Sequence, residues 1–257
     1  MLTLQAHSIL WHYLWLAPDI LQLALAGFLV RRGLHKLFPA FFAYAIYEAI
    51  ETFTLYGMDI SPRVSPKAWW FAFWIGLIVE GLIKIAVIAE LICHLLRSRP
   101  SLSRTGNVLF SATGAGLALI AAVAAAYTTP TNPHWLVGGA LILQQTLYII
   151  NCGLILFVFL FAAYLKLSWD RPAFGIALGF GIVACQRLAV WATEAGVKMS
   201  DRGVRLDFLS MATYHVCVLM WFYFLLVPQK KNTTSTVSLP ENNLDIWNRE
   251  LERLLQR

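Results

Sequence analysis

The chain has 257 residues, 59% of them hydrophobic and 13% charged, with a formal net charge of +6 and a mean hydropathy of +0.64. Such a composition excludes an ordinary soluble domain. The positive charge gathers at the ends of apolar stretches rather than along one groove, which excludes nucleic acid as a partner and points to membrane topology and anionic lipid.

A bilayer core takes about 20 apolar residues as helix. Stretches of that size fall at 9–30, 37–57, 68–96, 105–127, 135–165, 173–193 and 206–227. The expected fold is therefore an all-α integral membrane protein, a seven-transmembrane-helix bundle over 1–228. A flexible cytoplasmic linker at 229–240 and an amphipathic cytoplasmic helix at 241–257 follow. Polar and proline-bearing segments punctuate the spans: Ser61-Pro62, Arg99-Pro100, Pro130 to Pro133, Arg171-Pro172 and Pro228.

The first stretch opens without the basic region of a signal peptide, so it is expected to remain as a span. It carries Asp19 directly after Pro18 near its middle. The second carries Glu48 mid-span, with Glu51 one turn further out. The third, longer than a perpendicular crossing needs, places Glu80 and Lys84 four residues apart, hence on one face and expected to pair. Glu90 lies further along, near the inner boundary, where solvent is expected to satisfy it.

The fourth is a small-residue helix with Ala118, Ala122 and Ala126 at four-residue spacing, and the sixth repeats the pattern with Gly175 and Gly179. Both faces suit close helix contact. In the fifth, Gln144, Tyr148 and Asn151 form one stripe. Arg187 in the sixth is expected to pair with Glu48 or Glu51, and His215 lies in the seventh.

Basic residues set the direction of threading. Ten Lys and Arg fall in the segments that are cytoplasmic if the amino terminus is outside: Arg31, Arg32, Lys36, Arg97, Arg99, Arg104, Lys166, Arg171, Lys230 and Lys231. Only five, Arg63, Lys67, Lys198, Arg202 and Arg205, fall opposite. The amino terminus is thus expected outside and the carboxyl terminus in the cytoplasm. Missing targeting extensions and the lack of Cys-rich outer loops make a bacterial inner membrane the expected location.

At 1.5 Å of rise per residue, Asp19, Glu48, Glu51, Glu80, Lys84, Gln144, Tyr148, Asn151, Arg187 and His215 reach similar depths. Six helices then offer polar groups to one zone, and the fourth abstains. A charge at the bilayer centre costs about 3 kcal/mol on one scale and well over 10 on another, so these groups are expected to face a protein interior. Four acids (Asp19, Glu48, Glu51, Glu80) meet two bases (Lys84, Arg187). They cannot all be ionised and paired in a low dielectric. Protonated carboxyls, a charged His215, or a cation or polar ligand must close the balance.

Known seven-helix families do not fit. Retinal binding needs a lysine in the last span, and 206–227 has none. No Asp-Arg-Tyr follows the third span, which ends Cys93-His94-Leu95-Leu96-Arg97, and no Asn-Pro-x-x-Tyr ends the seventh. Of the six His, only His215 lies centrally enough to hold a haem, so no bis-His site is formed. The four Cys lie in apolar stretches without CxxC spacing, and no nucleophile–base or zinc set is visible. No cofactor is named by these residues, and none of these patterns marks an enzyme.

In the tail, Leu244, Trp247, Leu251, Leu254 and Leu255 recur at helical spacing opposite Asp245, Arg249, Glu250 and Arg253. Mixed charge on the polar face favours a cytoplasmic protein partner over a purely lipid surface. The functional expectation is a receptor-like or accessory protein that binds a small ligand in the polar layer and couples through this tail. A small proton- or cation-coupled transporter and a structural subunit of a larger membrane complex are the alternatives.

Overall fold

A computed structural model describes residues 8–97, 106, 108–119, 135–196, 200–227 and 252. The chain divides into two compact units, Met1–Leu226 and Val227–Arg257. Seven helices belong to the first: α1 (Ile9–Arg31), α2 (Pro39–Ile60), α3 (Pro66–Leu96), α4 (Val108–Leu119), α5 (Trp135–Tyr164), α6 (Arg171–Gly196) and α7 (Ser200–Leu226). A single 3₁₀ turn, Leu34–Lys36, links α1 to α2, and the described residues contain no strand. The expected amphipathic helix at 241–257, with Leu244, Trp247, Leu251, Leu254 and Leu255, lies outside the described residues, as do Ala122 and Ala126.

Among the described residues, four stretches are long and apolar enough to cross a membrane: Ile9–Arg31, Ile142–Tyr164, Arg171–Thr193 and Leu206–Leu226. The molecule is turned outward accordingly. Ile9, Ile75, Leu82, Leu160 and Val216 are each at least 60% exposed, which water would penalise and hydrocarbon does not.

Helix ends follow local chemistry. The Ser8 hydroxyl accepts from Trp11 N–H at 3.3 Å and starts α1. Ser65 accepts from Ala68 N–H at 3.2 Å, with Pro66 at the first helical position of α3. The α1–α2 link turns through Gly33 at φ 71°, a left-handed conformation that a Cβ would strain. Helix α2 begins at Pro39 after Phe38, which offers no side-chain cap.

The missing cap comes from another helix. Glu90 of α3 accepts from Ala40 N–H at 2.9 Å and Phe41 N–H at 3.1 Å. Its role is to bind the positive end of α2, rather than to sit in solvent as its position in the sequence implied. Nearby, His94 Nε2 meets Asp170 Oδ2 at 3.1 Å and ties the end of α3 to the start of α6. Glu90→Ala should therefore lower thermal stability by about 1–3 kcal/mol, with Glu90→Gln in between. A melt unchanged for both variants would contradict this role.

Helices α1, α2, α3, α5, α6 and α7 pack as a closed ring, each against the next, with α7 returning to α1. Helix α4 packs on α5, placing Leu117 where a Cβ on Gly153 would be 2.6 Å away. Its own Val108, Leu109 and Leu119 are exposed. The ring closes most tightly between α6 and α7. A Cβ on Gly175 would be 2.3 Å from Phe224 Cβ, and one on Gly179 would be 2.2 Å from Trp221 Nε1. Trp221 stands in a buried aromatic cluster with Phe41, Tyr44 and Phe180, at centroid separations of 5.3, 6.1 and 5.4 Å.

Candidate functional site

Apart from exposed Arg187, the predicted polar groups are buried or half-buried among the ring helices, and they fall into two neighbouring halves. On the α1–α2–α7 side, Asp19 is 3% exposed although it carries a carboxyl. It follows Pro18, but a carboxylate cannot donate to the carbonyl that a proline leaves free. Thr52 of α2 stands beside Asp19, while Asp19 Oδ1 is buried with no partner.

One turn on, Gln22 accepts from the Tyr214 hydroxyl, which lies 3.5 Å from the Tyr44 hydroxyl. A chain of side chains thus joins α1, α7 and α2. Glu48 Oε2 is also buried without a partner. Glu51 leans on Gly76 of α3, where an added Cβ would be 2.1 Å from its Oε1. The Tyr47 hydroxyl donates to the Gly76 carbonyl at 3.1 Å. Glycine at 76 is what lets α2 and α3 approach with a carboxyl between them.

On the α3–α5–α6 side, Lys84 and Glu80 form an ion pair, each 14% exposed at the side chain. Lys84 Nζ also lies 5.6 Å from the Tyr44 ring centroid, a cation–π contact that joins the two halves. Tyr148 accepts from Gln144 Nε2 at 2.7 Å, leaving its own hydroxyl proton to donate. Asn151 is 9% exposed. Its amide donates back to the Leu147 carbonyl at 2.9 Å, while Oδ1 has no partner.

These residues line a cavity of about 30 Å³, with Glu80, Lys84, Tyr148, Asn151 and Arg187 among walls of Leu, Ile, Phe and Val. That is room for two or three water-sized groups. Arg187 stands exposed on α6 and lines this cavity.

The expected Arg187 pairing with Glu48 or Glu51 is not made at ion-pair distance among the described residues, where the pair formed by these groups is Glu80–Lys84. Arg187 nonetheless acts electrostatically on Glu51 and Glu80, and Glu48 feels Glu80, Lys84, Asp19 and Glu51. Those acids and bases thus form a neighbourhood of charge in which Glu80–Lys84 is the pair actually made. His215 stands apart from it, beside Tyr13 at 5.9 Å between rings, with Nδ1 buried and unpartnered. Among the described residues no three His, Cys, Asp or Glu converge as a metal ion would require.

Sequence reasoning passed over Gln22, Tyr44, Thr52, Gly76 and Tyr214. Two of them carried a signal: Gln22 is three residues from Asp19 and Tyr44 is four from Glu48, so each shares a helix face with its carboxylate. The tyrosines resemble interfacial anchors in a linear reading, and only packing moves Tyr44 to full burial.

No protein-family model matches the chain, and neither a curated protein nor a solved structure matches it.

Proposed function

We propose that this chain is a seven-crossing membrane protein, amino terminus outside, that binds a small ligand in its intramembrane polar layer. Its state passes to a cytoplasmic partner through the tail, a receptor-like or accessory role. Helices α2 and α3, which stand in the ring between α1 and α5, bring the crossings to six, and the apolar stretch that includes α4 supplies the seventh. The observation that carries the reading is the pair of unsatisfied buried carboxyl oxygens, Asp19 Oδ1 and Glu48 Oε2. A buried acid without a donor is costly when ionised, so the layer has capacity for a proton or for a ligand that donates.

A second reading, a small proton-coupled transporter, is favoured by the same vacant oxygens and by a cavity that opens at exposed Arg187. The absence of a converged ligand set among the described residues argues for protons over a divalent ion. One experiment separates the two. In liposomes holding only this chain, the transporter reading expects a solute-driven internal pH change that Glu48→Gln abolishes. The receptor reading expects no flux, with binding retained and partner output lost when 241–257 is removed. Silence of Glu48→Gln in every assay, from a folded variant in the membrane, defeats both.

A further inference from the structure

The two halves of the polar layer differ in the sign of what they lack. Asp19, Glu48 and Glu51 lie outside the lining of the α3–α5–α6 cavity, whose charged residues are Lys84, Arg187 and Glu80. Lys84 is already occupied by Glu80. Arg187 makes neither an ion pair nor a hydrogen bond among the described residues, while its chain neighbour Gln186 bonds through Nε2 to Ser210 Oγ at 2.6 Å.

A guanidinium with five donors and no acceptor, at a cavity with apolar walls, is complementary to a planar anion that can take two parallel hydrogen bonds. Tyr148 adds a hydroxyl donor from the facing helix, since its oxygen already accepts from Gln144. The rest of the wall is apolar, with Leu77, Leu147, Ile155, Phe180, Val183 and Ala184 among its residues, which suits a methyl group and not a second charge. The cavity volume of about 30 Å³ limits the occupant to a few heavy atoms.

The geometry points to a binding site for the smallest monocarboxylates, formate or acetate, held by Arg187 and Tyr148 with the hydrocarbon end against α5 and α6. It rests on the reading that the polar layer binds a ligand, and it divides that ligand between the two halves: the anion goes to the donors Arg187 and Tyr148, and the accompanying proton goes to the acceptors Asp19 and Glu48. The vacant acids of the other half are then placed to take up the proton that accompanies the anion, so that no net charge enters the low dielectric.

The test is calorimetric titration of the full chain in lipid nanodiscs with sodium acetate, alongside butyrate, chloride and ethylammonium. Acetate should bind, while butyrate, too long for the cavity, and ethylammonium, of the wrong sign, should not. Arg187→Gln should weaken acetate binding roughly tenfold or more, and Arg187→Lys less, because the paired hydrogen bonds are lost while the charge stays. Ala184→Leu keeps Arg187 and fills the cavity, so it too should abolish binding; this variant decides the matter if those at 187 do not fold.

Acetate binding that survives Arg187→Gln or Ala184→Leu, chloride binding as tight as acetate, or no acetate binding at all overturns the assignment. Because Glu48 does not line this cavity, acetate binding with a silent Glu48→Gln leaves the carboxylate site standing and removes the proton-coupling reading. Loss of coupling in Glu48→Gln with no acetate binding does the reverse.

Discussion

Lys84→Met is expected to destabilise the protein by about 3–5 kcal/mol, because it leaves Glu80 with its counter-charge gone in a buried site. The side chain loses two partners at once, the Glu80 carboxylate and the face of Tyr44. Shape is nearly conserved, so packing contributes little to the loss. Adding Glu80→Gln should recover most of it, since a neutral amide needs no counter-charge and can bond to its surroundings. Unfolding in mixed micelles, followed by tryptophan fluorescence, measures both variants. Equal stability of the single and double variants would show that the pair is solvated and that the layer is not a low-dielectric site.

Gly179→Leu is expected to be at least as damaging, at about 3 kcal/mol or more. A Cβ there would lie 2.2 Å from Trp221 Nε1. Trp221 cannot yield, being fully buried against Phe41, Tyr44 and Phe180. The α6–α7 contact must open, and Tyr214 on α7 would then draw away from Gln22 and Tyr44. Thus the substitution should disturb the polar layer without touching a charged residue. Wild-type melting together with an unshifted tryptophan emission would rule out this packing.

How far the sequence reached depends on what each group needs in order to be satisfied. Helical stretches were legible because lipid demands a run of apolar residues whatever surrounds it, and four such stretches stand in the structure. Two sequence patterns also met their structural counterparts: Gly175 and Gly179 do mark a close helix contact, and the i, i+4 pair Glu80–Lys84 does form. Both are local patterns whose partner lies on the same helix or in its shadow. Glu90 was misjudged for the opposite reason. Nothing near it in sequence needs a carboxylate, yet α2, some fifty residues earlier, begins without a cap.

Residue type and spacing alone establish the membrane-like composition, the helical periodicity and the surplus of acids over bases. That α4 packs on α5, and that Arg187 lines a cavity without an ion pair to Glu48 or Glu51, came from how the helices pack. That packing also placed the unsatisfied oxygens on Asp19, Glu48 and Asn151. The physical reason is that a charge's partner is chosen by which helices touch and how each is rotated. Those rotations are set by contacts such as Gly76 with Glu51 and Gly179 with Trp221, which join residues far apart in the chain.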